Sequence, residues 1–125
     1  MLIPILHFDG NCADVIKLYE IVFDTIAIGH DYNDSDKILH AEMTIHGQRI
    51  YLNDGKDFIK NAFNIDCASH LALTFDTSEE LLACYQKLKP VDANVIPFVK
   101  TSYSELVGNF MDRFGVLWGF MVVTQ

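Results

Sequence analysis

The feature that most constrains the fold is one strand-to-helix pattern that occurs in both halves of the chain. Leu6-His7-Phe8-Asp9 leads into a helical stretch that reaches Tyr19, and residues 70–76 lead into one that reaches Tyr85. Phe8-Asp9 lies 67 positions before Phe75-Asp76, and Tyr19 lies 66 positions before Tyr85. A chain of 125 residues with this repeat predicts two copies of one small unit. Neither copy is long enough to bury a core alone, so the two copies are expected to pair.

Hydrophobic periodicity and turn residues give each half the order β-α-β-β-β, which predicts an α+β fold of two βαβββ modules. We expect module 1 at residues 1–55, a linker at 56–67 and module 2 at 68–125. The connection 54–68 is predicted as a long loop. The predicted strands are 2–8, 25–30, 38–45, 48–53, 70–75, 95–99, 106–111 and 116–123, with helices after Asn11 and after Thr77.

Three local patterns define these elements more closely. Asn11 is placed to cap the first helix and Thr77, with Glu80 three residues later, to cap the second. Pro4 indicates that the first strand lies at a sheet edge or contains a bulge, and not in the middle of a sheet. Residues 38–45 alternate, so Leu39, Ala41, Met43 and Ile45 are expected on the helix side and His40, Glu42 and Thr44 on the opposite face.

The charge and cysteine content exclude several classes of partner. Nine Lys and Arg residues against 17 Asp and Glu residues give a net charge of −8, which argues against nucleic acid and against anionic membranes. No apolar run approaches the roughly 20 residues of a bilayer span. Cys12, Cys67 and Cys84 form no C-x-x-C pair, so we expect reduced, buried thiols and a cytoplasmic location.

Four short motifs are spread over nearly the whole chain: Phe8-Asp9-Gly10-Asn11-Cys12, His40-Ala41-Glu42, Leu52-Asn53-Asp54 and Asp112-Arg113-Phe114-Gly115-Val116-Leu117-Trp118. As a set they resemble the vicinal-oxygen-chelate superfamily, which includes glyoxalase I, extradiol dioxygenases and bleomycin-resistance proteins. Within that superfamily the chain is similar to the PhnB-like branch. The resemblance implies a curled mixed sheet around a cavity, helices on the outside, and a homodimer.

Members of this branch often carry a demethylubiquinone methyltransferase label. The sequence lacks the Gly-rich strand-to-helix turn that would hold a nucleotide-like cofactor, since Gly10 stands alone.

The resemblance also locates the metal site of the metal-using relatives, near Ile3, Tyr51, His70 and Gly119 of this chain. Among these, His70 alone is a good ligand type, and a divalent metal needs three or four His or carboxylate ligands. We therefore expect the glyoxalase-type metal site to be lost and no cofactor to be bound.

A different group of side chains is expected to face the cavity. If His70 faces it, His7 does so from the equivalent strand, and His40, Glu42 and Tyr51 follow from the alternation of their strands. Such a group could hold one divalent metal of unknown identity, or His40 and Glu42 could act as acid and base without metal. The simpler alternatives are a hydrogen-bonded His70, an exposed His40–Glu42 pair and a core Trp118.

These observations leave two functional hypotheses. The first is a protein that binds a small molecule through His7, Tyr51, His70 and Trp118, without the glyoxalase-type metal site. The second is a lyase, isomerase or dioxygenase acting on a small oxygenated substrate, with His40 and Glu42 as the catalytic residues.

Overall fold

The computed structural model describes residues 1–32, 36–63, 70–88 and 95–123. The chain divides into two compact units, Met1–Cys67 and Ala68–Gln125, which we call the N-terminal and C-terminal modules. Each contains one mixed four-stranded sheet, with two helices described in the first module and one in the second, so the predicted α+β class is confirmed.

The N-terminal module has its strands in the order β1-β4-β3-β2. β1 runs parallel to β4, whereas β3 is antiparallel to both β4 and β2. Its elements are β1 (Ile5–His7), α1 (Cys12–Val22), β2 (Ile28–Tyr32), β3 (Ile38–Ile45), β4 (Gln48–Asn53) and α2 (Lys56–Phe63).

The C-terminal module repeats this arrangement with the order β5-β8-β7-β6. β5 runs parallel to β8, and the other pairs are antiparallel, as in the first module. The internal repeat predicted from the sequence is therefore confirmed at the level of topology. The elements are β5 (His70–Phe75), α3 (Ser78–Leu88), β6 (Val95–Val99), β7 (Val107–Met111) and β8 (Leu117–Val122).

Each sheet has one buried and one open face. In the N-terminal module the buried side chains alternate along the strands, with Leu6 on β1, Ala41 and Met43 on β3, and Ile50 and Leu52 on β4. Helix α1 buries an apolar stripe at helical spacing, which consists of Cys12, Val15, Ile16, Tyr19 and Val22. The half-exposed residues between the buried strand positions form the open face, where the polar side chains lie.

The β3–β4 hairpin has the predicted bounds, and its turn has the predicted chemistry. His46 and Gly47 have φ angles of +48° and +80°, as a two-residue hairpin turn requires. The prediction for the start of β3 is wrong, because Ile38 is buried and Leu39 is 58% exposed. The register shift between β2 and β3 in this region breaks the strict alternation on which that prediction depended.

Several element bounds differ from those predicted. β1 is shorter than 2–8, although it lies at the sheet edge as Pro4 indicated, and β2 begins three residues later than predicted. The Asn11 side chain makes no capping hydrogen bond; its backbone carbonyl accepts from Asp14 and Val15, and Asp54 Oδ1 accepts from the Cys12 N–H at 2.9 Å. A carboxylate distant in sequence therefore replaces the expected local cap.

The prediction of a loop at 54–68 is wrong for residues 56–63, which form helix α2. This helix buries none of its residues, and Phe58 is 73% exposed. A surface helix of two turns lacks the buried apolar stripe by which longer helices are recognised in a sequence. Residues 64–69 lie outside the described part of the chain.

In the C-terminal module the Thr77 cap is confirmed, because Thr77 Oγ1 accepts a hydrogen bond from the Glu80 N–H at 3.1 Å. Cys84 on α3 is a free, buried thiol, as is Cys12 in the first module, whereas Cys67 lies outside the described residues. Ser104, in the loop before β7, is buried: it is 5% exposed and donates to the Val122 carbonyl oxygen at 2.7 Å. No helix in the described ranges is both long enough and apolar enough to cross a membrane.

Candidate functional site

The register of the first sheet brings several predicted site residues onto its open face. His7 pairs with Asn53 across β1 and β4, and Tyr51 pairs with Glu42 across β4 and β3. His40 precedes Glu42 by two residues on the same strand and therefore shares its face. Thus His7, His40, Glu42 and Tyr51 lie on one side of a single sheet, as the alternation predicted.

Glu42 is the centre of a polar cluster on that face. Its Oε2 accepts a hydrogen bond from Arg49 Nη2 at 2.9 Å, and its Oε1 lies 3.3 Å from His40 Nε2. The His40 ring packs edge-on against Tyr51 with centroids 4.7 Å apart, and the Arg49 guanidinium lies 5.8 Å from the Tyr51 ring centroid. The four side chains hold one another across two strands.

The electrostatics of this cluster define what Glu42 can do chemically. The hydrogen bond from Arg49 lowers the pKa of Glu42, and the hydrogen bond with His40 lowers it further. A carboxylate with a lowered pKa stays ionised and is a weak general base near neutral pH. The cluster is better suited to holding the rings of His40 and Tyr51 in place than to abstracting a proton through Glu42.

A second polar group lies at the end of β1. His7 Nδ1 is 2.8 Å from Asn53 Oδ1, and the same oxygen accepts a hydrogen bond from the Gly55 N–H at 2.9 Å. Asn53 therefore connects β1 to the segment that leads into α2, and it fixes the orientation of the His7 ring.

His7 and Asn53 line an open cleft of about 480 Å³ in the N-terminal module. Exposed or half-exposed apolar side chains from β3 and α2 form another wall, with Leu39 58% and Phe58 73% exposed. The lining residues are His7, Lys37, Ile38, Leu39, Asn53, Asp54, Gly55, Phe58 and Ile59.

Asp54, which also lines the cleft, connects three of the elements around it. Its Oδ1 accepts from the Cys12 N–H and its Oδ2 accepts from the Ile38 N–H, each at 2.9 Å. One carboxylate thus joins the end of β4 to the start of α1 and the start of β3. Because both oxygens accept backbone hydrogen bonds, we interpret Asp54 as a structural residue.

His70, in the C-terminal module, lies on the open face of the second sheet. Its Nε2 is 3.1 Å from Asn109 Oδ1, across the intervening strand β8. Gly119 lies between them, and a Cβ there would be 3.0 Å from Asn109 Oδ1 and 3.2 Å from His70 Nε2. The absence of a side chain at Gly119 is what allows this hydrogen bond.

Trp118 lies in the core of the C-terminal module. It is 1% exposed, and its Nε1–H donates to Asp112 Oδ2 at 2.9 Å. Since side chains alternate along β8, Trp118 lies on the opposite face of the sheet from Gly119 and His70. The structure thus groups four of the six predicted site residues in one module and places His70 and Trp118 on different faces of the other. Their functional roles stay predictions.

The residues at the relatives' metal positions do not fit a metal ion. Ile3 and Gly119 offer no donor atom, and the His70 ring is hydrogen-bonded to Asn109. Across residues 1–32, 36–63, 70–88 and 95–123, no three His, Cys, Asp or Glu side chains are grouped as a metal site requires.

Most residues of the cleft lining were not predicted from the sequence. Asn53 and Asp54 belong to a motif that carried the family resemblance, but they were given no role in the site. Phe58 and Ile59 fell in the presumed loop, and Leu39 was expected in the core. The sequence did contain one signal of an apolar wall, namely Phe58 beside Ile59, an aromatic and an aliphatic residue in adjacent positions of a polar segment.

A model of the 3-demethylubiquinone-9 3-methyltransferase family matches residues 1–121. No curated protein matches the chain.

Solved structures with the same fold cover essentially the whole chain. Protein PA1353 from Pseudomonas aeruginosa is 22% identical with a TM-score of 0.80, and the match covers 100% of this chain and 98% of that one. The PhnB protein from Bacillus cereus is 22% identical with a TM-score of 0.78, and the match covers 98% of each chain. The fosfomycin resistance protein FosX from Listeria monocytogenes, solved with Mn(II) and sulfate, is 16% identical with a TM-score of 0.65, covering 99% and 90%.

Proposed function

The chain belongs to the 3-demethylubiquinone-9 3-methyltransferase family, and we propose that it is a small-molecule binding protein whose ligand occupies the cleft of the N-terminal module. The family description does not by itself assign methyl transfer to this chain. The Gly-rich strand-to-helix turn that would hold a nucleotide-like methyl donor is not in the sequence.

The observation that carries the proposal is the composition of the cleft. Its volume of about 480 Å³ lies within the range of small-molecule pockets. Leu39 and Phe58 are large apolar side chains left exposed to solvent, so a ligand that covers them gains hydrophobic free energy. The polar groups of His7 and Lys37 can orient a ligand against this apolar wall.

The proposal is tested by a fragment screen that follows the backbone amide signals of the protein by NMR. We expect small aromatic compounds to shift the amides of the cleft residues. Leu39→Trp fills the cleft and should abolish these shifts. Leu82→Trp is the matched control, because Leu82 is a 41% exposed leucine on helix α3 of the other module. Shifts that persist in Leu39→Trp, or that map to the C-terminal module, would contradict the proposal.

The alternative, an enzyme with His40 and Glu42 as catalytic residues, has one supporting observation, the 3.3 Å contact between them. The lowered pKa of Glu42 weakens this alternative, because a carboxylate with a lowered pKa is a weak general base near neutral pH. Metal analysis of the purified protein separates the two hypotheses. A stoichiometric divalent metal that is lost in His40→Ala or His70→Ala would favour the enzyme. The homodimer, the cytoplasmic location and the lack of a nucleic-acid partner stay predictions.

A further inference from the structure

We propose that His7 Nε2 is the hydrogen-bond acceptor that selects the ligand, so that the cleft prefers compounds carrying a hydroxyl or N–H donor. This inference rests on the proposed function, since it assigns the chemistry of the ligand that the cleft would bind. It is carried by the hydrogen bonds of three residues, His7, Asn53 and Gly55.

The first step is the orientation of the Asn53 amide. The Gly55 backbone N–H can only donate, and it points at Asn53 Oδ1 at 2.9 Å. The atom at that position must therefore be the amide oxygen and not the amide nitrogen. The usual uncertainty about which way an Asn side chain points is removed by this backbone donor.

The second step is the tautomer of His7. Because Asn53 Oδ1 is an acceptor, the His7 Nδ1 at 2.8 Å must carry the proton that is shared between them. In the neutral ring the other nitrogen, Nε2, then bears a lone pair and acts as an acceptor. Gly55 and Asn53 thus set the protonation pattern of a ring that faces the cleft.

The third step is the accessibility of Nε2. Asn53 is the hydrogen-bond partner of His7 among the described residues, and it occupies Nδ1. No buried side-chain nitrogen or oxygen in the described part of the chain lacks a hydrogen-bond partner, so Nε2, for which no partner is found there, is not fully buried and keeps contact with solvent. His7 lines the cleft, and a bound molecule can replace the solvent at this nitrogen.

His70 provides a natural comparison within the same chain. It contacts an Asn side chain through the opposite nitrogen, Nε2, at 3.1 Å. No second donor fixes the orientation of Asn109 among the described hydrogen bonds, so the geometry does not assign a tautomer there. The fixed acceptor is a property of the N-terminal module, where the cleft lies.

The class of ligand follows from the other residues that line the cleft. Leu39, Phe58 and Ile59 favour an aromatic or aliphatic body. Asp54 also lines the cleft, but its two oxygens already accept backbone N–H groups. The structure therefore points to an aromatic or aliphatic compound with one donor group, for which a phenol is the simplest probe.

The tautomer is tested directly by NMR of the imidazole nitrogens, with the His7 signals identified by their loss in His7→Phe. We expect the neutral ring to show a protonated Nδ1 and an unprotonated Nε2. In Asn53→Leu, which removes the acceptor, the neutral ring should shift towards the Nε2–H form. A neutral ring protonated at Nε2 in the unmodified protein would overturn the proposal.

The ligand preference is tested with 4-bromophenol and 4-bromoanisole, which differ in whether the oxygen can donate. One hydrogen bond predicts that the phenol binds about tenfold more tightly. His7→Phe should abolish this preference, while His70→Phe, the matched control, should retain it. Equal binding of both compounds in the cleft overturns the acceptor role but leaves the cleft a binding site. If neither compound binds in the cleft, both the acceptor role of His7 and the proposed function are contradicted.

Discussion

The Asp112 carboxylate accepts three hydrogen bonds around the turn that joins β7 to β8. Oδ1 accepts from the Phe114 and Val116 N–H groups, and Oδ2 accepts from Trp118 Nε1. Asp112 is 2% exposed, so each of these bonds is shielded from water. One residue thus forms the turn and also holds the one tryptophan of the chain.

Asp112→Asn replaces one accepting oxygen with a donating NH₂ group and leaves one of the three donors unpaired. We expect a loss of about 1–3 kcal/mol in the free energy of unfolding. Denaturant unfolding followed by far-UV circular dichroism measures this loss in every variant. The double variant with Trp118→Phe should lose less than the sum of the two single variants, because the partners interact directly. An Asp112→Asn midpoint equal to that of the unmodified protein would show that the carboxylate is dispensable.

The buried thiols titrate far above their ordinary range. Burial, together with the charge of Asp54, raises the pKa of Cys12 to about 12, and burial raises the pKa of Cys84 to about 11. The protonated forms are therefore favoured by folding. The stabilisation from the protonated thiols is present below pH 9, the ordinary pKa of a cysteine thiol. It is lost as the pH rises towards about 11 for Cys84 and about 12 for Cys12.

Because the thiolate is the reactive form, neither thiol should react with a thiol reagent in the folded protein at neutral pH. The measurement is the rate of thiol labelling in a Cys67→Ser background. Two thiols should react only after denaturation. Rapid labelling of Cys12 without denaturant would contradict its burial.

Glu42 provides a prediction in acid. Its pKa is lowered by Arg49 and His40, so the stabilisation from its ionised form is present above the ordinary value of 4.5 and is lost as the pH falls through the lowered pKa. In Arg49→Gln the pKa of Glu42 should rise towards the ordinary value, as followed by NMR titration of its carboxyl carbon. Arg113→Gln, at an exposed arginine of the other module, should leave it unchanged.

At the scale of elements, two glycines on adjacent strands of the second sheet differ sharply in the space beside them. A Cβ at Gly108 on β7 would overlap the Phe98 ring, since it would lie 2.8 Å from Phe98 Cγ and closer still to Phe98 Cδ1. A Cβ at Gly119 on β8 would meet only the polar ends of two side chains, at 3.0 and 3.2 Å. The Phe98 ring also packs on Tyr85, with centroids 4.9 Å apart, so a shift of that ring disturbs its packing.

Gly108→Ala should therefore destabilise the protein by about 1–3 kcal/mol, the usual cost of overpacking. Gly119→Ala, the matched control, should change stability by less than about 1 kcal/mol while it breaks the His70–Asn109 hydrogen bond. Thermal unfolding of the two variants compares them. Equal destabilisation by both would mean that the contact with Phe98 does not govern the packing of β7.

Whether an element could be predicted from the sequence depends on whether the contacts that form it are local. The β3–β4 hairpin and the Thr77 cap are local, so their signals lie within a few residues. The start of α1 depends on Asp54, which is 42 positions from Cys12, and no local pattern reveals such a partner. Helix α2 was not predicted because it buries no residue. The exposure of Leu39 was not predicted because a register shift interrupts the alternation of β3.

At the scale of the whole molecule, the two modules share one topology but differ in the chemistry of their open faces. The N-terminal sheet carries the Glu42 cluster and His7, whereas the C-terminal sheet carries His70, Asn109 and Gly119. The repeat could be predicted from residue types at matching positions. The location of the cleft could not, because it depends on α2, for which the C-terminal module has no equivalent among its described residues.

The central claim is that the cleft of the N-terminal module holds a small molecule with its donor group at His7. The most direct test is a crystal structure with 4-bromophenol, in which anomalous scattering locates the bromine atom. We predict a single bromine site among Leu39, Phe58 and Ile59, with the phenol oxygen within hydrogen-bond distance of His7 Nε2. Bromine sites on the C-terminal sheet, with none in the cleft, would contradict the account.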